Sequence, residues 1–245
     1  IINNDGIERL LCLIVERLKL PIAFNRKFIW KAGKNSQIRF WDRWFDTKGL
    51  RWPDEYNRRL KTDLPLQKRP AELLPDQNKI DLLDVGAGPL TVLGKNFNGK
   101  SIVITAIDPL ADEYDKLLVK YHINPVVRTI KGEAEKVSEI FKTNTFDLVF
   151  ACNAIDHSYD PENAIIEMIA VVKPNCYVLL EHHINEAENQ NYSGFHQWNF
   201  SISTKGDFII CSKSNRVNMS QKYADICTIT SEVINETVIN RIKKH

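Results

Sequence analysis

The stretch Ile80-Asp81-Leu82-Leu83-Asp84-Val85-Gly86-Ala87-Gly88-Pro89-Leu90 decides the fold: an apolar run ends in an acid and passes straight into two closely spaced glycines. A short apolar run bounded by glycine reads as a buried strand, and parallel strands of an open α/β sheet deliver their C-terminal ends to the crevice where ligands bind. Glycines just after such a strand let backbone approach a ligand closely. A lone Gly-x-Gly is weak evidence, so the residues that follow carry the decision.

Strand-like runs recur downstream at residues 102–107, 126–130, 146–152 and 177–181, separated by helix-length amphipathic segments. This alternation predicts an α/β fold with a doubly wound, mostly parallel sheet. In Asp160-Pro161-Glu162-Asn163, an Asp N-cap precedes Pro at the first helical position, and Pro174 is expected to stop that helix after Lys173. Two further runs, 208–212 and 226–233, have no convincing helix between them and are expected to form an antiparallel pair at the sheet edge. Upstream, residues 1–62 read as helical and aromatic, with Leu10, Leu11, Ile14, Val15 and Leu18 along one helix face. Leu64-Pro65, Arg69-Pro70 and Leu74-Pro75 then punctuate a connector. The boundary is placed near residue 78, giving a helical N-terminal cap and connector over 1–77 and an α/β domain over 78–245.

The composition narrows the class. The 245 residues are 43% hydrophobic and 26% charged, with a net charge of +2, which is ordinary for a soluble globular protein and provides no field for nucleic acid. Five scattered cysteines, Cys12, Cys152, Cys176, Cys211 and Cys227, form no Cys-x-x-Cys pair, which favours reduced thiols over a disulfide frame or a zinc site. The apolar stretch from Leu10 to Ile22 contains Glu16, Arg17 and Lys19, so neither a membrane span nor a signal core is expected, and a cytoplasmic location follows.

Four features fall in order at successive strand ends. After the glycine turn comes Asp108, about 20 residues on, where an acid can accept hydrogen bonds from a ribose diol or, alternatively, cap the next helix. Gly132-Glu133-Ala134-Glu135 follows the third strand, and Cys152-Asn153 with Asp156-His157 follows the fourth.

With these features in register, residues 78–182 and the edge strands resemble the class I S-adenosylmethionine-dependent methyltransferases of small-molecule type. The resemblance implies a seven-stranded sheet with an antiparallel last strand. It implies S-adenosylmethionine as cofactor and S-adenosylhomocysteine as product. The methionine end of the cofactor would lie on Asp84, Gly86, Ala87 and Gly88, and the ribose on Asp108, with Pro109 and Leu110 along the adenine. Glu133, with Gly132 and Ala134, would meet the adenine amino group, while Cys152, Asn153 and His157 would lie along the cofactor. The family's third glycine is replaced, since Pro89, Leu90 and Thr91 follow Gly88. That change counts against a nicotinamide dinucleotide fold, whose third glycine serves close helix-to-strand packing.

Methyl transfer from a sulfonium is an in-line displacement that, for a hydroxyl acceptor, also needs a proton removed. His157, His182, His183 and His196 are the candidate bases. His182 and His183 adjoin at a strand end, so they point to opposite faces and one of them is expected to face the crevice. The polar, aromatic stretch within 182–205 reads as an acceptor-binding insertion, with His182, Tyr192 and His196 as substrate candidates, or as a loop anchored by its Trp and Phe. Arg39 and Arg43, in Arg39-Phe40-Trp41-Asp42-Arg43-Trp44-Phe45, are candidates for an anionic group of the substrate, in a lid or simply in a packed stripe. His182, His183, Glu186 and His196 match no metal-ligand spacing, so no metal is expected. The expected reaction is methyl transfer to a small polar acceptor. A hydroxyl oxygen of a sugar, a sugar phosphate or a surface-polysaccharide precursor is favoured, with no nucleic-acid or membrane partner. A nicotinamide-dependent oxidoreductase and a catalytically silent cofactor-binding partner subunit are the alternatives.

Overall fold

The protein is described by a computed structural model covering residues 22–245, so the expected helical face from Leu10 to Leu18, and Cys12, lie outside the described residues. Three helices open it: α1 (Ile22–Asp46), α2 (Pro53–Leu60) and α3 (Lys68–Glu72). Five parallel strands follow: β1 (Lys79–Val85), β2 (Ser101–Asp108), β3 (Thr129–Lys131), β4 (Phe146–Cys152) and β5 (Val172–His183). With β9 (Cys227–Ile234) and β10 (Thr237–Lys244) they make one seven-stranded sheet in the order β3-β2-β1-β4-β5-β10-β9. The strand order reverses between β1 and β4, which opens a crevice at their C-terminal ends. β10 runs antiparallel to β5, with Val238 opposite His182, so the expected α/β class with an antiparallel end is present.

The sheet is buried on both faces, and the period-two alternation says by what. Leu83, Val85, Val149, Ala151, Val178 and Leu180 face α6 (Pro161–Val171), through Ile165, Met168 and Ile169. The same core takes in Phe200, Phe208 and Ile210 of a separate antiparallel sheet formed by β6 (Asn199–Ile202), β7 (Phe208–Cys211) and β8 (Arg216–Asn218). On the other face Ile80, Leu82, Leu148, Phe150 and Leu179 meet Leu66, Leu73 and Leu74 of the connector, with Leu93 and Phe97. The helix α4 (Ala111–Lys120) follows β2 and packs Tyr114, Leu117 and Leu118 against Trp41, Trp44 and Phe45 of α1, and the short α5 (Val137–Ile140) adds Val137 to the α6 core. Among the described residues no helix is long and apolar enough to cross a membrane.

Three expectations change. No helix follows β1: residues 86–100 run as an irregular loop. Pro89, Gly94, Asn96, Asn98 and Gly99 break any helical period there, and the connector takes the place a crossover helix would have on the sheet. Leu66 N–H donates to the Asn96 carbonyl at 2.7 Å and Lys95 N–H to Leu64 at 2.7 Å, clipping connector to loop. The edge pair is also different, because 208–212 falls in the separate sheet and β9 pairs instead with β10. Asn235 and Glu236 join that hairpin with φ of 48° and 61°, the geometry of a two-residue I′ turn, and Glu in place of Gly hid it from the sequence. Finally, α6 starts as expected, Asp160 accepting from Asn163 N–H at 3.1 Å, but ends at Val171, so Pro174 sits in the exposed start of β5.

Gly94 shows how tight the clip is. A Cβ there would lie 2.0 Å from the Pro65 carbonyl oxygen, against backbone that cannot swing away. Gly99 has φ of 73° and nothing within 4 Å of a built Cβ. Gly99→Ala should therefore cost about 1 kcal/mol, the left-handed penalty alone. Gly94→Ala should cost well over about 2 kcal/mol by overpacking. Urea unfolding midpoints of the two variants measure the difference, and equal losses would contradict the clip.

Candidate active site

The crevice is a cavity of about 1000 Å³ lined by residues from the ends of β2, β1, β4 and β5. Those strands span three inter-strand spacings, roughly 14 Å. At the β2 end, Asp108 is 7% exposed, and its carboxylate accepts from Gly88 N–H at 3.1 Å and Leu110 N–H at 2.9 Å. Burial pushes its pKa up to about 6 against those two donors. Asp108 does not cap α4, whose N-cap is Leu110. A carboxylate offers roughly four acceptor positions; the two N–H groups and the neighbouring Tyr114 hydroxyl take up three, which leaves room for a ribose hydroxyl.

The glycine turn is built around that acid. Gly86 and Gly88 have φ of 72° and 64°, and a Cβ on Gly86 would lie 2.4 Å from the Ala154 Cβ. Thr129 Oγ1 donates to the Gly88 carbonyl at 2.7 Å. Asp84, 2% exposed, accepts from Thr91 Oγ1, and burial raises its pKa to about 6 although Thr91 and the Arg59 charge pull the other way. Thr91, standing where a third glycine was sought, thus has a side-chain task of its own. Ala87, Pro109, Leu110, Cys152 and Asn153 also line the cavity.

The Gly132-to-Glu135 segment divides. Ala134 and Glu135 line the cavity, whereas Gly132 is buried where a Cβ would meet Ile140 Cδ1 at 2.7 Å, and Glu133 accepts from the Tyr159 hydroxyl at 3.0 Å. Glu135 holds the start of α6 by accepting from Tyr159 N–H at 3.0 Å, and burial raises its pKa.

The N-terminal elements close the cavity. Trp30, Phe40, Trp41 and Trp44 line it, and Trp41 and Trp44 also pack edge-on with centroids 5.2 Å apart, so the aromatic stripe both packs and lines. Arg39 and Arg43 are exposed and do not line it; Arg58, Arg59 and Arg69 do. Each of these three is paired: Arg58 and Arg59 donate to Glu55 at 2.8 Å, and Arg69 to Glu181 at 3.0 Å. Arg59 also donates to the Leu90 carbonyl at 2.9 Å, next to the glycine turn. The sequence signal for this group was present, since Glu55 stands three and four residues before Arg58 and Arg59 on one helix.

Histidines form the wall at β4 and β5. Asn153, with φ of 46°, turns the chain after β4, and its side chain accepts from His183 N–H at 3.0 Å. His183 lines the cavity, while His182 on the opposite face is fully buried and its Nε2 accepts from Ile155 N–H at 3.0 Å. His182 therefore packs and positions the turn and does not face the crevice. His157 Nε2 lies 3.1 Å from His196 Nδ1, and the His157 ring stacks on Phe195, whose ring also lines the cavity. Burial lowers both imidazoles to about 4, so both are neutral at pH 7. Tyr192 lies outside the cavity lining, and its hydroxyl accepts from Asn199 Nδ2 at 3.1 Å. The insertion thus sends Phe195 and His196 to the site and uses Trp198, 2% exposed, as an anchor.

Residues 83–180 match the protein family described as "Methyltransferase domain". That match runs from the end of β1 into β5, and S-adenosylmethionine is the cofactor such a domain implies. Among solved structures it is similar to a candidate S-adenosylmethionine-dependent methyltransferase of Methanococcus maripaludis, at 14% identity and a TM-score of 0.49 over 88% of this chain and 93% of that one. A Methanosarcina mazei S-adenosylmethionine-dependent methyltransferase matches at 15% identity and a TM-score of 0.40, over 74% and 99%. The [4+2]-cyclase SpnF matches at 21% identity and a TM-score of 0.35 over 47% of this chain, which spans 43% of the cyclase. No curated protein matches the chain.

The two raised carboxyls set the pH behaviour of the ligand-free protein. Between about pH 4 and pH 6 the folded chain holds more protons at Asp84 and Asp108 than the unfolded chain does, so their contribution to stability falls as pH rises through that window. Asp108→Asn mimics the protonated acid and should gain about 2 kcal/mol on wild type between pH 4 and pH 7. Urea unfolding at the two pH values checks this; a pH-independent difference between the proteins would contradict it.

Proposed function

We propose that this methyltransferase acts on a hydroxyl oxygen of a small, neutral, polar acceptor such as a sugar unit of a polysaccharide precursor. The observation that carries the reading is a single cavity with a buried carboxylate at β2 and a wall of neutral imidazoles at β4 and β5. Every arginine lining the cavity is paired to a carboxylate, which favours an uncharged acceptor over a phosphorylated one.

S-adenosylmethionine, when bound, supplies an electrophilic methyl group on a sulfonium. Asp108 would accept from its ribose hydroxyls, with Pro109 and Leu110 beside the adenine and Ala134 and Glu135 beyond. The turn Gly86-Ala87-Gly88, Asp84 and Arg59 would hold the zwitterionic end, because they offer both signs of charge in one corner. Trp41 and Trp44 exclude water from that side. On the acceptor side, His183, His157 and His196 offer ring nitrogens to orient a hydroxyl, and alignment of the attacking oxygen is the main service such a site provides. With values near 4, His157 and His196 are hydrogen-bond acceptors more than strong bases.

S-adenosylhomocysteine should raise the thermal midpoint of the wild type, and Asp108→Asn should weaken its binding by about tenfold or more while the protein stays folded, as expected for losing charge-assisted hydrogen bonds. Affinity of the wild type should fall about tenfold between pH 7.5 and pH 5, because protonation of an acid near 6 competes with the ribose. Calorimetric titration at both pH values measures this. Protection by a nicotinamide dinucleotide instead would sink the reading, and no response to either nucleotide would leave the silent subunit. S-adenosylhomocysteine formation should be faster with neutral polyols than with their phosphate esters.

A further inference from the structure

We infer that Asp156, His157 and His196 form a binding site for one divalent transition-metal ion of the zinc class at the acceptor side of the cavity. The three donor atoms all lie within 4.8 Å of one another. His157 Nε2 stands 3.1 Å from His196 Nδ1 and 3.6 Å from Asp156 Oδ2. Tetrahedral donors at about 2.0–2.1 Å from zinc are separated by about 3.3 Å, so these spacings need only small shifts to close on an ion. A second carboxylate, Glu186 Oε1, lies 3.8 Å from His196 Nδ1, within reach of the same ion as a fourth donor.

Asp156 supplies the independent observation. It is 2% exposed, and its Oδ1 is buried without a hydrogen-bond partner among the described residues. The nearest ring nitrogen, His182 Nε2 at 3.7 Å, already spends its lone pair on Ile155 N–H, so it brings Asp156 no proton. A buried carboxylate with one oxygen left unpartnered is costly unless a cation or a proton meets the group, and its other oxygen, Oδ2, is the one that turns toward His157. His157 and His196 likewise face each other with ring nitrogens that cannot both be acceptors in one hydrogen bond, whereas a metal would use both lone pairs. Imidazole and carboxylate together suit zinc and its first-row neighbours better than magnesium or calcium. His157 and His196 line the cavity, so an ion here keeps a side open to it. Its role there rests on the proposed methyl transfer: as a Lewis acid it would acidify an acceptor hydroxyl, whose proton would pass to water as the oxygen–methyl bond forms and the methyl–sulfur bond breaks.

The test uses untagged protein stripped with a chelator and then titrated with zinc. One equivalent should bind and survive gel filtration, and cobalt in its place should give the visible bands of a low-symmetry four-coordinate ion. His196→Ala and Asp156→Asn should each weaken zinc binding by about tenfold or more, with folding checked by circular dichroism and with Glu186→Gln as a milder third variant. Should a variant misfold, the wild-type cobalt spectrum decides, since imidazole ligation shifts it away from that of the aqueous ion. Failure of the wild type to bind one equivalent, an aqua-type cobalt spectrum, or zinc binding unchanged in all folded variants would overturn the site. S-adenosylhomocysteine binding, measured in parallel, separates failure of the metal site from failure of the methyltransferase reading.

Discussion

The Gly88 peptide is gripped from both sides, and the crevice depends on that grip. Its N–H is held by the Asp108 carboxylate at 3.1 Å and its carbonyl by the Thr129 hydroxyl at 2.7 Å, so the ends of β1, β2 and β3 meet at one residue. A Cβ there would lie 2.9 Å from the Trp41 ring, which brings α1 onto the same point. The acid that secures the turn remains buried at the cavity, where ionisation is opposed by desolvation. Fixing the loop and leaving acceptor capacity for a ligand are therefore the work of one side chain.

This arrangement explains why the N-terminal segment cannot be treated as a detachable cover. With no helix after β1, the sheet face carrying Ile80, Leu82 and Phe150 has only the connector and the 86–100 loop to bury it. The connector is clipped to that loop through backbone hydrogen bonds, and α2 reaches it through Arg58 to the Val92 carbonyl and Arg59 to the Leu90 carbonyl. Packing of the sheet and construction of the cavity wall are thus one structural problem. Its solution supplies the paired arginines.

The sequence made the sheet core and the acids at its rim legible, because period-two burial and register between strand ends are local patterns. Asp84, Gly86, Gly88 and Asp108 fall at the crevice for that reason. Long-range choices were less visible. The β9–β10 hairpin turns on Asn235-Glu236 without a glycine, and the β6–β8 sheet is made of strands of three or four residues, too short to show a period. Arg39 and Arg43 share an aromatic stretch with Trp41 and Trp44, yet on a helix only one side faces the cavity, and the tryptophans occupy it. Asp156 stood out in the sequence only as the neighbour of His157 after the fourth strand. Its significance comes from the spatial approach of His196, 40 positions later in the chain.

The distribution of charge along the cavity has a chemical consequence. Methyl transfer from a sulfonium to a neutral oxygen disperses positive charge away from sulfur, so an ionised carboxylate beside the sulfur would stabilise the ground state more than the transition state. The unpaired-by-arginine acids of the rim, Asp84 and Asp108, belong to β1 and β2, whereas Glu181 on β5 is neutralised by Arg69. Between them β4 ends in Cys152 and Asn153, and burial with the neighbouring Glu181 charge raises the Cys152 thiol to about 12, so it stays uncharged. Negative charge is thereby concentrated where it can hold hydroxyl and ammonium groups. The ends of β4 and β5 carry no carboxylate left without a cationic partner.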